Sequence, residues 1–328
     1  MNLPWNQAVR AASAAFLTAV AASAFAQAYP TKPIRWILPF APGGGTDIIS
    51  RAIHPALASA LGQPLILENR PANAGLIAAD AVAKSAPDGY TIMTGGNSSL
   101  MFAKLTYPKL PFDPERDFSP ITMLALAPVA LFVHESVPSK SVAEFVEYSR
   151  SQGGRLNYGA AGLGHPFMLA MELLKRRTGL DILFVPYKGM EPVVQDLIAG
   201  RLHAMFYIPS EQVLSQVRAG RIRALATATD TRLRVLPDTQ TFQEAGVADF
   251  AAAGWIGLVG PAGMPRDIVM RLNREVVKIL TLPDVGKVYA QLSLLPAGGT
   301  PEELAKKIHD DLVAWDPVVK SLGISLAY

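Results

Sequence analysis

Between Ile34 and Ala52 the chain reads as three consecutive pieces. An apolar run, Ile34-Arg35-Trp36-Ile37-Leu38, is followed by the turn Pro39-Phe40-Ala41-Pro42-Gly43-Gly44-Gly45-Thr46-Asp47, and then by the apolar-periodic start of a helix, Ile48-Ile49-Ser50-Arg51-Ala52. A strand that passes through a tight turn into a helix is the building unit of an α/β layer structure, and few other folds accommodate it. Three successive glycines leave backbone N–H groups with no side chain above them. The helix starting near Thr46 adds its own unpaired amides and the positive end of its dipole. In form the turn is an anion cradle. It is not a P-loop, because no Gly-Lys-Ser or Gly-Lys-Thr follows, and it is not the G-x-G-x-x-G dinucleotide fingerprint.

The same unit recurs along the chain. A helical period over 46–61 ends at Gly62. A short buried strand at 65–67, a helix at 74–84 and a strand at 90–94 follow, the last ending in Gly95-Gly96-Asn97-Ser98-Ser99. The proline-spaced stretch 107–114 reads as surface loop. The β-rich run 121–133, broken at Pro128, reads as a crossing into a second unit. There Ser141 and Glu144 form a capping box. A strand at 156–158 leads through Gly159-Ala160-Ala161-Gly162-Leu163-Gly164 into a helix over 165–178. Strands at 182–185, 203–207 and 223–227 alternate with helices at 192–199 and 211–218. After a strand at 255–259 the chain is read as helical, over 266–281 and from Pro301 with Thr300 as N-cap, the late helices packing back on the first unit. The expectation is therefore α/β, two doubly wound α/β domains with parallel sheets and helices on both faces. Domain 1 is discontinuous, 27–127 and 250–328, and domain 2 is 128–249.

Residues 1–26 read as a signal peptide: a short lead with one basic residue, an uncharged apolar stretch at 11–24, and Ala24-Phe25-Ala26 as a small-x-small cleavage site before Gln27. The apolar stretch is too short to span a bilayer. The expected location is periplasmic. A formal charge of +3 over 328 residues, without a basic stripe, points away from nucleic acid. The chain has no cysteine, so disulfides and thiol chemistry are excluded.

No G-x-S-x-G or H-E-x-x-H motif is present, and none of the five histidines has metal-type spacing. No metal and no cofactor is expected. His54, His134, His203 and His309 read as surface or satisfied residues, whereas His165 opens a helix after a small-residue turn, where it can donate to an anion. Asp47, in a first helical turn, either complements the dipole or shapes the glycine turn. Small-residue turns at the carboxyl ends of strands are where ligands bind in open α/β sheets. Backbone N–H groups there hold a carboxylate without a buried lysine. The expected ligand-binding residues are Pro42, Gly43, Gly44, Gly45, Thr46, Asp47, Asn97, Ser98, Ala160, Ala161, Gly162, Gly164, His165 and Tyr207. This is a binding design. The alternatives are a ligand-sensing protein for a signalling partner and a secreted α/β hydrolase using Ser98 or Ser99.

Many ordered motifs carry a family resemblance. They include Tyr29-Pro30-x-Lys32-Pro33, Pro39-Phe40-x-Pro42-Gly43-Gly44-Gly45-x-Asp47, Glu68-Asn69-Arg70-Pro71, Pro87-Asp88-Gly89-Tyr90, Val185-Pro186-Tyr187-Lys188-Gly189 and Pro261-Ala262-Gly263-x-Pro265. The mature chain resembles the Bug-type extracytoplasmic binding proteins of tripartite tricarboxylate transporters. The resemblance implies a periplasmic-binding-protein clamshell with a central cleft, a small carboxylate ligand, membrane permease subunits as partners, and a non-enzymatic, monomeric protein. The chain departs from the family where Met-Phe-Asp is usual and Met205-Phe206-Tyr207 stands instead. That exchange implies loss of an acidic partner for a ligand amine and gain of an aromatic wall, hence an aromatic or unsubstituted carboxylate.

Overall fold

The computed structural model describes residues 29–71, 75–162, 165–248, 250, 252–323 and 325; the predicted leader at 1–26 and Gly164 lie outside the described residues. In chain order the strands are β1 (Ile34–Leu38), β2 (Leu65–Asn69), β3 (Thr91–Gly96), β4 (Phe118–Ala127), β5 (Ala130–His134), β6 (Asn157–Ala160), β7 (Leu183–Pro186), β8 (Ala204–Tyr207), β9 (Ile222–Thr227), β10 (Gly254–Pro261) and β11 (Leu295–Gly298). The α-helices are α1 (Gly45–Leu61), α2 (Leu76–Ala83), α3 (Ala103–Thr106), α4 (Val142–Ser151), α5 (Pro166–Thr178), α6 (Met190–Ile198), α7 (Glu211–Arg218), α8 (Arg266–Leu280), α9 (Pro283–Gln291) and α10 (Pro301–Ser321). A π-helical segment, Asn97–Phe102, precedes α3.

The strands form two sheets, β11-β4-β10-β3-β1-β2 and β7-β6-β8-β5-β9. Neither is purely parallel, contrary to the sequence expectation. β1 pairs parallel with β2 and β3, and β6 parallel with β7 and β8. β10, however, runs antiparallel to β3 and β4, and β5 antiparallel to β8 and β9. β11 likewise runs antiparallel to β4. Only Pro128 and Val129 separate β4 from β5, so the chain passes from the first sheet into the second within two residues.

β1 shows why its sequence is apolar throughout. Ile34, Trp36 and Leu38 are wholly buried against Ile49, Ile53 and Leu57 of α1 and Leu272 and Val276 of α8, while Ile37 packs into the core on the other face. A strand covered on both faces reads as a continuous hydrophobic run, and each such side chain stabilises by ~1.5–3 kcal/mol. Arg35 escapes by ion pairing at the surface with Glu68 at 2.7 Å. The expectation of a buried strand at 65–67 is corrected: β2 is an edge strand, and Ile66 is 48% exposed.

Three further elements were not anticipated. Residues 97–106 are helical, α9 extends the C-terminal helical layer, and β11 adds an edge to the first sheet. As expected, the late helices pack on the first unit: α8 and α10 against β4, α9 against α1. α10 also packs against α5, so one core cluster runs from Met168 and Leu169 to Trp315 and Val319. Thr300 caps α10 in a reciprocal box with Glu303, the two hydrogen bonds measuring 3.1 and 2.7 Å. Among the described residues no helix is long and apolar enough to cross a membrane.

Candidate functional site

The glycine turn sits at the carboxyl end of β1, and one buried carboxylate shapes it. Asp47 Oδ2 accepts from the Gly43 amide at 2.9 Å and from Arg51 Nε at 2.8 Å, while Oδ1 accepts from Asn69 Nδ2 at 3.0 Å. Asn69 also donates to the Phe40 carbonyl at 2.9 Å. The turn is thus tied to α1 and to the end of β2. Three of the Asp47 acceptor sites are taken by the chain itself, and the carboxylate holds the loop. Gly43 adopts φ +83°, a conformation that glycine enters without strain. Gly44, with φ −75°, is the N-cap of α1 and no side chain caps that helix. The first-turn amides of Gly45, Thr46 and Asp47 therefore have no partner within the helix.

The hydrogen bond from Arg51, with help from Gly43 and Asn69, holds the Asp47 carboxyl down to about 2. The folded-state value lies below the ordinary carboxylate range, so the stabilisation is present above that range and is lost as pH falls from about 4 toward 2. A shift of roughly two units corresponds to about 2.5 kcal/mol. In urea titrations the midpoint of the wild type should fall between pH 5 and pH 2 more steeply than that of Asp47→Asn. Parallel curves for the two proteins would remove Asp47 as the anchor of the turn.

Beside this turn lies the end of β3. Gly95 and Gly96 are its last residues rather than a turn, and the π-helical segment starts at Asn97. Gly75, before α2, bridges the two: a Cβ placed there would lie 2.8 Å from Pro39 Cβ and 2.9 Å from Ser99 Cβ. Beneath them, Trp36 Nε1 and Ser50 Oγ both meet Thr94 Oγ1 at 2.9 Å. β1 and β3 are paired neighbours, so the turn carrying Pro42–Asp47 and the segment opening with Asn97 and Ser98 leave the same edge of the sheet side by side. Ser98 is exposed, but Asn97 Oδ1 accepts from the Trp255 amide in β10, so that oxygen is occupied by the chain itself. Ser99 is buried and its Oγ accepts from Gly96 N at 3.1 Å. Among the described residues no histidine hydrogen-bonds either serine.

The second group lies at the carboxyl ends of β6, β7 and β8. Ala160 ends β6, its carbonyl accepting from Gly162 N at 2.8 Å and from Tyr187 N at 2.9 Å, and Gly162 takes φ +88°. Ala161 lies in the same turn. His165 is the N-cap of α5, and its Nδ1 accepts from Phe167 N at 3.3 Å. With Nδ1 accepting, the neutral ring carries its proton on Nε2 and is a donor there. Burial pushes the imidazole down, favouring that neutral form. The His165 and Phe167 rings meet edge-on at 5.0 Å, and the Phe167 and Tyr207 rings at 5.5 Å. The other histidines all have partners: His54 with the Leu65 carbonyl, His134 with Ser136, His203 with Asn157 and His309 with Glu115.

Sequence reasoning missed Glu191. The exchange at Tyr207 implied a wall without an acidic group. Instead Glu191, in the first turn of α6, acts electrostatically on the Tyr207 hydroxyl, which burial and then this carboxylate push upward. No hydrogen bond among the described residues joins the group on the first sheet to that on the second.

The glycines are of two kinds. At Gly96 and Gly159 a Cβ would collide with Trp255 O and Leu202 Cδ1, each at 2.6 Å, so glycine there serves packing. At Gly44 the nearest atom is Ala41 O at 3.4 Å, and at Gly45 nothing lies within 4 Å. Neither has a positive φ. The fold asks for no glycine at either position. A separate groove of about 1080 Å³ runs between the C-terminal half of α5 and α10, lined in part by Arg176, Arg177, Lys306 and Val313. None of the expected site residues borders it, and Lys306 and Lys307 there are paired with Asp310 and Asp311.

Residues 49–324 match the family described as tripartite tricarboxylate transporter family receptor. The chain is 33% identical to protein BugT of Bordetella pertussis over 309 residues, 94% of each chain. Two Rhodopseudomonas palustris structures are similar to it. One, with adipate, has TM-score 0.65 and 34% identity, covering 92% of this chain and 100% of that one. The other, MatC with bound malate, has TM-score 0.63 and 33% identity, covering 89% and 100%. A TctC solute-binding protein from Polaromonas without ligand is 25% identical yet has TM-score 0.81, over 89% of this chain and 99% of that one.

Proposed function

The chain belongs to the tripartite tricarboxylate transporter receptor family, a family of periplasmic solute-binding proteins rather than enzymes, and from that premise we propose that it captures a small organic carboxylate between its two lobes and delivers it to membrane permease subunits. The observation that carries this reading is the bare backbone at Gly44 and Gly45. Neither glycine is required by a positive φ or by packing, so the room is kept for a ligand that approaches the first-turn amides of α1. On the other lobe the turn at Ala160–Gly162, the Nε2–H of His165 and the aromatic faces of Phe167 and Tyr207 complete the grip, one carboxylate and an apolar or aromatic body between them. The unliganded Polaromonas neighbour fits better than the adipate and malate complexes despite its lower identity. That order supports reading the present arrangement as the open receptor, which a ligand bridging both lobes would close.

The reading includes export behind the 1–26 leader and action as a monomer. The division into 27–127 with 250–328 and 128–249 is supported by the two sheets, whose strands fall on either side of those boundaries. The test is a thermal-shift series on residues 27–328 with adipate, malate, hexanoate, benzoate, 6-aminohexanoate and 4-(aminomethyl)benzoate. A bound acid at a hundred times its Kd adds about 2.7 kcal/mol of stability. Stabilisation by none of them, or turnover of any that binds, would overturn the proposal.

A further inference from the structure

The lobe carrying β6, β7 and β8 presents one carboxylate set apart from the other acidic groups of the chain. β7 ends at Pro186, in register with Ala160 of β6. The chain then turns through Gly189 into α6, whose first turn contains Glu191. β8 ends at Tyr207 and leads into α7, whose first turn contains Gln212. Glu191 Oε1 accepts from Gln212 Nε2 at 2.9 Å and from Gln195 Nε2 at 3.0 Å. Both amides bind the same oxygen. Oε2 has no hydrogen-bond partner among the described residues.

Two neutral donors from two helices thus fix the carboxylate without cancelling its charge. The paired amides also hold its pKa below the ordinary glutamate range, so it is ionised at neutral pH. A lysine or arginine partner would have neutralised it. Burial, and then the charge of Glu191, push the Tyr207 hydroxyl upward, so it keeps its proton. Tyr207 ends β8 and Glu191 lies in the first turn of the helix that follows β7, at the strand ends where ligands of open α/β sheets bind. A fixed negative charge there has two effects on an approaching acid. It repels a second carboxylate, and it accepts a hydrogen bond from an ammonium or hydroxyl group.

We propose that Glu191 is a specificity-determining residue of the cleft, selecting monocarboxylates whose far end carries a hydrogen-bond donor and rejecting dicarboxylates. The proposal rests on the receptor reading above. It also amends the expectation drawn from Tyr207: the acidic group missing from the end of β8 is supplied from α6.

Matched acids test this. Isothermal titration of the wild type and Glu191→Gln is run with hexanoate, adipate and 6-aminohexanoate, and with benzoate, terephthalate and 4-(aminomethyl)benzoate. In at least one set the wild type should bind the amino acid member roughly tenfold or more tighter than the dicarboxylate. Glu191→Gln should bring that ratio to within about threefold, weakening the amino member and strengthening the dicarboxylate. A ratio unchanged by the substitution would reduce Glu191 to a tether between α6 and α7, and so would a wild type that prefers the dicarboxylate in both sets. Those outcomes leave the receptor reading standing. Absence of binding by all six acids to the wild type removes the receptor reading and this proposal with it. Glu191 is exposed, so the variant's unliganded melting temperature should match the wild type and confirm an intact fold.

Discussion

Gly44→Val should reduce carboxylate affinity a hundredfold or more while the protein folds almost as before. The fold tolerates the change because Gly44 has φ −75° and ψ 165°, a β-region conformation that valine prefers, and its Cβ would meet only Ala41 O at 3.4 Å. Loss of a favourable N-cap residue costs about 1 kcal/mol. The branched side chain, by contrast, would stand between a ligand and the first-turn amides of α1. A hundredfold loss is about 2.7 kcal/mol of binding free energy. Gly45→Ala sharpens the contrast. Alanine in a helical position is more stable than glycine by ~0.5–1 kcal/mol, so this variant should melt higher than the wild type and bind more weakly. Calorimetry and thermal melts on the same samples separate the two quantities. Normal adipate binding by Gly44→Val, in a protein that binds adipate, would place the ligand away from this turn.

Asp311→Ala should cost about 3 kcal/mol and lower the melting temperature by roughly 5–10 °C. Asp311 is fully buried on α10, accepting from Trp255 Nε1 at 2.8 Å and from Lys307 Nζ at 2.7 Å. Truncation leaves the Trp255 indole N–H buried without an acceptor. Asp311→Asn keeps an oxygen for Trp255 but turns an amide nitrogen toward the Lys307 ammonium, and should cost less than the alanine variant. Burial, only partly offset by Lys307, raises the carboxyl above its ordinary range. An acid whose folded value is raised contributes stability below the ordinary range and loses it as pH rises through the raised value. The asparagine variant has no such loss, so its deficit relative to wild type should shrink as pH rises. A deficit that grows with pH would mean that Lys307 pairing outweighs burial.

Legibility from sequence followed the range over which each element is determined. β1, α1 and Gly62 were readable because Ile34–Leu38, the helical period and the left-handed C-cap are all local signals. Residues 97–106 were not, because Asn97, Ser98 and Ser99 are turn-forming types, and their helical state depends on Leu100 and Met101 reaching the core and on the Asn97 bond to Trp255. β11 was hidden by Pro296 and Gly298, which weaken any strand pattern but are tolerated at a sheet edge. Strand direction in β5 and β10 has no local signature at all. At the site, the glycine turn announced itself, and Asp47 was open between complementing the helix dipole and shaping the turn; its contacts to Gly43, Arg51 and Asn69 show the second, while it keeps its place in the first helical turn. Glu191 was silent because its significance depends on Gln212, which lies on another helix.

The placement of β10 has a consequence for how the chain comes to be folded. β10 sits between β3 and β4, yet it begins at Gly254 of 328 residues. During synthesis β3 and β4 therefore emerge long before the strand that separates them, and their facing edges stay unpaired. β5 to β9, by contrast, occupy a continuous stretch and need no later strand to complete their sheet. The second lobe can finish while the first waits, since domains fold as units as they are made. A ribosome that stalls before Gly254 would release a chain with one complete sheet and one split at its centre, which makes the order of translation itself a determinant of which half is vulnerable to aggregation.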